Sequence, residues 1–115
     1  MDVIGMFAAV HVSDLERSVD WYARLIGRAP DHRPMPTLVQ WVGIAGAGLQ
    51  LFGDRDKAGG GVMTIVTPSV DDARALLARS AIALGEIARG DFGAVAAVED
   101  PDGNRIHIVE PPKPR

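Results

Sequence analysis

The chain has 115 residues, the length of one ordinary domain, and its 47% of apolar residues predict a packed core. It contains no cysteine, which excludes a disulfide framework, a thiolate zinc site and a cysteine nucleophile. The net charge of −3 and the lack of a basic run argue against nucleic-acid binding. The sequence predicts neither a signal peptide nor a membrane span, and we expect a cytoplasmic protein.

The first half of the chain predicts a strand, a helix and then further strands. Residues 3–12 are apolar and rich in valine, which favours a strand. Ser13 and Asp14 are suited to cap a helix, and apolar residues then recur at helical spacing as far as Gly27, a residue that commonly ends helices. After a proline-rich stretch, residues 38–44 and 48–52 predict two more strands.

The second half repeats this order at an offset of about 55 residues. Residues 62–67 predict a strand, and residues 70–77 predict a helix with two aspartates in its first turn, where the helix dipole favours negative charge. Residues 82–87, 93–99 and 105–110 then predict three strands. The turn-forming residues 100–104 connect the last two.

The repeat predicts one α+β domain over residues 1–115. It is made of two βαβββ modules, residues 3–52 and 62–110, with a glycine-rich linker at residues 53–61. Pairing of the modules into a cupped mixed sheet, with the helices outside, would leave a central cavity of the kind that small molecules occupy. The pairing could form within one chain or between two. Sheet edges need cover, so we expect a homodimer.

Two motifs carry a resemblance to a known family. Residues 12–22, VSDLERSVDWY, followed by LIG at residues 25–27, resemble the opening of the vicinal oxygen chelate superfamily. This group includes glyoxalase I, bleomycin-resistance proteins and extradiol dioxygenases. DPDGNRI at residues 100–106 resembles its closing motif, and the resemblance implies the same paired βαβββ modules. The motif residues also suit structural roles: Asp14 as a helix cap, Tyr22 in packing, and Gly103 or Asn104 at positive φ.

The resemblance also implies where a metal ion would be held. Enzymes of the superfamily use His, Glu or Gln side chains from the first and last strand of each module, and the matching residues here are Phe7, Gln50, Val62 and His107. Two of these are apolar, and one amide with one imidazole is too few for a divalent ion. His11 shares a face with Phe7 but lies roughly 13 Å along the strand, so it cannot replace the missing ligand. We therefore predict no metal and no cofactor.

Strand alternation predicts which side chains line the cavity. The candidates for ligand binding, three aromatic walls and three polar groups, are Phe7, Trp41, Phe52, His11, Gln50 and His107. Aromatic walls with a few polar groups are typical of small-molecule pockets. The alternative for Trp41 is a place in the core, and the alternative for the two histidines is a structural role.

Two functions from different classes remain open. The first is a binding module that sequesters a small aromatic or planar organic molecule, as the resemblance to bleomycin-resistance proteins implies. The second is a metal-dependent lyase, isomerase or dioxygenase with an altered ligand set, in which the metal acts on vicinal substrate oxygens. Phe7 and Val62 weigh against the second. A third possibility is metal-free acid–base chemistry by a histidine. The sequence offers no nearby carboxylate as its partner, so this possibility has little support. The predicted partner is therefore a small-molecule ligand.

Overall fold

The computed structural model describes residues 1–114, and Arg115 lies outside the described range. The first module consists of β1 (Phe7–Val12), α1 (Leu15–Ile26), β2 (His32–Met35), β3 (Leu38–Ile44) and β4 (Ala47–Gly53). The second consists of β5 (Val62–Val66), α2 (Val70–Arg79), β6 (Ala88–Gly90), β7 (Gly93–Glu99) and β8 (Arg105–Glu110). The predicted βαβββ order is confirmed in both halves.

Each module forms a four-stranded mixed sheet. The strand orders are β1-β4-β3-β2 and β5-β8-β7-β6. In both sheets the first and last strands of the module pair in parallel, and the remaining neighbours are antiparallel. The first strand can lie parallel to the last because the helix returns the chain between them. This is the predicted α+β fold, with the helices outside the sheets.

Both helices begin at side-chain caps. Asp14 accepts a hydrogen bond from the backbone N–H of Arg17 at 3.1 Å, and α1 ends at Gly27 with a φ of 92°. Ser69 and, from the distant strand β8, Glu110 accept hydrogen bonds from the first turn of α2. These caps define where each helix starts. Neither helix, over residues 1–114, has the length and hydropathy needed to cross a bilayer.

The core lies between the sheets and the helices. Buried members of this core come from alternate positions of the strands and from one side of each helix, among them Val10, Val12, Leu49, Leu51, Ile106, Ile108, Trp21, Tyr22, Val70 and Leu77. Burying each large apolar side chain contributes roughly 1.5–3 kcal/mol. Because strand side chains alternate, this core commits the other set of strand residues to the opposite faces of the sheets.

Two strands differ from the prediction. The sequence did not indicate β2, which contains Pro34 and lies at the edge of the first sheet, where a missing N–H costs no ladder hydrogen bond. The strand predicted at residues 82–87 was wrong. Ile82 and Leu84 instead turn into the core, and β6 begins only after this segment. Apolar residues in a short run fit a strand and a buried loop equally well.

Candidate functional site

Each sheet has one face turned away from the helices, here called its open face. The predicted site residues and their neighbours on the two open faces are Phe7, His11, Gln50, Phe52, Val62, Thr64, Val66, Arg105 and His107. Three large apolar side chains of this set are well exposed: Phe7 at 42%, Val62 at 69% and Val66 at 65%. The sheets are two separate four-stranded sheets, and their open faces are uncovered in the single chain.

The open face of the first sheet presents two aromatic surfaces. His11 on β1 and Phe52 on β4 are neighbours in register, and their rings stack with centroids 5.4 Å apart at 23°. Phe7, at the other end of β1, pairs with Gly48. A Cβ on that glycine would lie 2.5 Å from the Phe7 ring, so the ring lies directly over the backbone of β4. The absence of a side chain at Gly48 makes room for it.

Polar groups lie on both open faces. Gln50 pairs in register with Gln40 of β3, and its Nε2 donates to the Gln40 Oε1 at 3.2 Å. On the second sheet, His107 Nε2 accepts a hydrogen bond from Arg105 Nε at 3.2 Å. The predicted polar residues are thus on the open faces, but each already has a side-chain partner that the sequence pattern did not reveal.

Trp41 lies on the opposite face of the first sheet. It pairs in register with Leu49, is fully buried in the core at 0% exposure, and its Nε1 donates to the carbonyl oxygen of Arg28 at 2.9 Å. A buried indole whose N–H is satisfied packs well as a core residue. We therefore leave Trp41 out of the candidate binding surface. Phe7, His11, Gln50 and Phe52 remain on the first sheet, with His107 on the second.

The residues at the metal positions do not fit a divalent ion. Phe7 and Val62 have no donor atom, Gln50 is hydrogen-bonded to Gln40, and His107 Nε2 is directed at a guanidinium. Across residues 1–114, no three His, Asp or Glu side chains are grouped closely enough to hold a metal. A divalent cation requires several oxygen or imidazole ligands in fixed geometry.

A buried polar network joins the two modules next to this site. The Tyr22 hydroxyl on α1 donates to Asp100 Oδ2 at 2.7 Å, and Asp100 also accepts from the backbone and side-chain N–H groups of Asn104. Asn104 Nδ2 donates to the carbonyl oxygen of His11 at 3.0 Å. The turn of the second module thereby fixes the backbone of a site residue in the first.

The same turn holds the start of α1. Asp102 accepts hydrogen bonds from the backbone N–H of Ser13, at 3.1 Å, and from its hydroxyl. Gly103 adopts the positive φ, 86°, that the sequence predicts for one residue of this turn. Sequence reasoning assigned Tyr22 to packing and missed its bond to Asp100. Both end motifs contain polar residues, and this was the available signal for a bond between them, because buried polar groups need hydrogen-bond partners.

A match to a family model identifies the family of this chain. The model of the Glyoxalase/Bleomycin resistance protein/Dioxygenase superfamily matches residues 4–108. The chain belongs to this superfamily. The match covers both modules, from the residues before β1 into β8, and it confirms the resemblance that the two end motifs indicated.

Solved structures of superfamily proteins have the same fold. One is the glyoxalase/bleomycin resistance protein from Catenulispora acidiphila DSM 44928, with a TM-score of 0.86, 24% identity and coverage of 96% of this chain and 100% of that one. TnmS3, an antibiotic binding protein from Streptomyces sp. CB03234, has a TM-score of 0.79, 24% identity and coverage of 96% and 97%. Lactoylglutathione lyase from Agrobacterium tumefaciens has a TM-score of 0.76, 19% identity and coverage of 91% of both chains. A search of curated protein sequences gives no match. At these identities the likeness establishes the fold alone.

Proposed function

We propose that this superfamily member binds a small planar or aromatic organic molecule on its open faces, without a metal, and acts by sequestering it. The observation that carries the proposal is the stacked His11–Phe52 pair on the open face of the first sheet. A flat ligand can extend this stack, and an aromatic contact contributes about 0.5–1.5 kcal/mol beyond the area it buries. No nucleophile or activated base is needed for this activity.

The donor groups support a metal-free site. Of the four superfamily ligand positions, Phe7 and Val62 offer no donor, which leaves Gln50 and His107. A metal held by the Gln50 Oε1 and one His107 nitrogen would still lack the further ligands that a divalent ion needs. Organic recognition needs only a few polar groups among apolar walls, and that is the mixture these faces carry.

A homodimer would complete the site. The single chain has a radius of gyration of 14.7 Å, above the roughly 13 Å expected for a compact domain of its length. Val62, Val66 and Phe7 remain exposed on its open faces. Apolar surface of this kind is commonly covered by a partner. A second copy could cover the open faces and enclose the ligand between two sheets.

Two further points support the sequestering activity and its setting. The structurally similar TnmS3 is an antibiotic binding protein, which is consistent with ligand capture on this scaffold. The chain has no cysteine and no need of a disulfide, which suits a reducing compartment such as the cytoplasm.

The experiment is a thermal-shift screen of planar aromatic compounds, followed by calorimetric titration of the hits. A ligand at a hundredfold its Kd should stabilise the protein by about 2.7 kcal/mol. Phe52→Leu keeps an apolar side chain but removes the stacking ring, and it should weaken binding. Phe92→Leu is the control, because Phe92 is an exposed phenylalanine away from the open faces, between β6 and β7. Equal affinities of the two variants for every hit would contradict the proposal.

A further inference from the structure

Arg105 and His107 form a hydrogen-bonded pair on the open face of the second sheet. They are two residues apart on β8, so their side chains lie on the same face. The Nε–H of Arg105 donates to Nε2 of His107 at 3.2 Å. Thr64 of β5 is the register neighbour of His107 and adds an exposed hydroxyl on that face.

The direction of this bond places the proton of the imidazole. A guanidinium has donors but no acceptor, so His107 Nε2 must accept through its lone pair. A neutral imidazole with a lone pair on Nε2 carries its proton on Nδ1, which is then a donor. Over residues 1–114 the ring makes this one hydrogen bond, which leaves Nδ1–H for a ligand.

Arg105 also keeps donors for a ligand. Its side chain is 53% exposed, and its nearest carboxylate, Glu99 on β7, lies at an Nη1–Oε1 distance of 3.9 Å. An exposed ion pair at this distance is weak, so the Arg105 guanidinium can readily turn from Glu99 to a better acceptor on a ligand. A guanidinium binds carboxylate and similar oxygens through two parallel N–H groups, which is stronger and more directional.

From this geometry we propose that Arg105 and His107 together recognise an oxygen acceptor on the ligand, such as a carboxylate, a phenolate or a ring carbonyl. The inference rests on the proposed function, since it assigns the polar contact of the planar ligand to the open face of the second sheet. It also narrows the ligand class. A ligand cation placed at His107 would meet the guanidinium at close range and be repelled, so the site favours planar molecules with an anionic or carbonyl oxygen over planar cations.

The test uses three probes that share one ring system: 2-naphthoate, neutral 2-naphthalenemethanol and cationic 2-naphthylmethylammonium. We expect calorimetry to give an affinity for the naphthoate about tenfold or more above that for the ammonium. Arg105→Gln should remove about tenfold of the naphthoate affinity and leave the alcohol's affinity unchanged. Arg89→Gln is the matched control, because Arg89 is 51% exposed and also has one acidic neighbour, Asp71.

A second readout is independent of any ligand. Long-range ¹H–¹⁵N correlations of the protein at neutral pH should show His107 in the Nδ1–H form, and Arg105→Gln should return the ring to a mixture of both tautomers. An Nε2–H form in the unaltered protein would overturn the inference.

The outcomes separate the two proposals. If Phe52→Leu weakens binding of all three probes while Arg105→Gln changes none of them, the proposed function stands and the inference is wrong. If no probe binds at millimolar concentration, or if Phe52→Leu is without effect on all three, both proposals are overturned.

Discussion

Tyr22 and Asp100, which are 78 residues apart in the sequence, are joined by a buried hydrogen bond of 2.7 Å from the phenol to the carboxylate. Tyr22 comes from the helix of the first module and has no exposed surface. Asp100 opens the turn between β7 and β8 of the second module. The bond therefore connects the two repeats through their interior, and Asn104 extends it to the backbone of His11 at the candidate site.

Tyr22→Phe should destabilise the protein by about 1–3 kcal/mol, because it leaves a buried carboxylate with one donor fewer. Urea denaturation monitored by the two tryptophans measures the change. Ser18→Ala is the matched control on the same helix, since the Ser18 hydroxyl is buried and has no partner among residues 1–114. The control should be neutral or slightly stabilising. Equal losses in both variants would argue against a contribution from the Tyr22–Asp100 bond.

Alkaline pH should weaken the fold through the same tyrosine. Burial, then the hydrogen bond to Asp100 and its negative charge, raise the pKa of Tyr22 far above its ordinary value of 10.0. Below pH 10 the folded and the unfolded chain both keep the phenol proton of Tyr22, so the tyrosine's full contribution to the free energy of unfolding is present. Above it the unfolded chain releases the proton and the folded one does not, so the free energy of unfolding falls by up to about 1.4 kcal/mol per pH unit. Urea titrations between pH 9 and 11 should show this slope, and Tyr22→Phe should lack that component. Parallel pH dependences would contradict the assignment.

The prediction from the sequence succeeded where local chemistry determines structure. The caps at Asp14 and Gly27, the positive φ at Gly103 and the alternation of buried strand residues are all local, and the structure has each of them. The prediction failed where distant packing decides. An edge position tolerates Pro34 in a strand, and the core takes up the segment after α2 that was predicted as a strand.

The candidate site could be predicted only in part, for the same reason. Strand parity places Phe7 and Phe52 on one face, and the structure agrees. Parity could not decide between core and pocket for Trp41, because that depends on which face of β3 the helix covers. The partners of Gln50 and His107 depend on strand register and side-chain geometry, which a sequence does not show.

His107→Ala should change the free energy of unfolding much less than Ile108→Ala. Ile108 is 3% exposed and faces the helices, so its truncation leaves a core cavity that costs about 2–5 kcal/mol. His107 faces the open side, and its loss removes an exposed hydrogen bond to Arg105. Urea denaturation of both variants makes the comparison. Comparable losses would mean that the face assignment of β8 is wrong.

The protein should be a homodimer of about 24 kDa, twice the chain mass of 12.2 kDa, at micromolar concentration. Val66→Lys places a charge on the open face of the second sheet and should shift the mass measured by light scattering towards the monomer. Leu76→Lys is the matched control, because Leu76 on α2 is equally exposed but lies on a helix. If the unaltered protein is a monomer, the predicted homodimer is wrong. An unchanged mass for Val66→Lys, or a shift by Leu76→Lys alone, would place the interface elsewhere.

Ligand binding by this superfamily scaffold should not depend on a metal. The most direct measurement is calorimetric titration of the best planar ligand from the screen, carried out on dialysed protein with and without a chelator and after addition of zinc, nickel, manganese or iron. We expect less than a tenth of an equivalent of bound metal by elemental analysis and the same affinity in every titration. One equivalent of metal per site, with ligand binding that the chelator abolishes and the metal restores, would contradict this expectation and favour a metal-dependent enzyme.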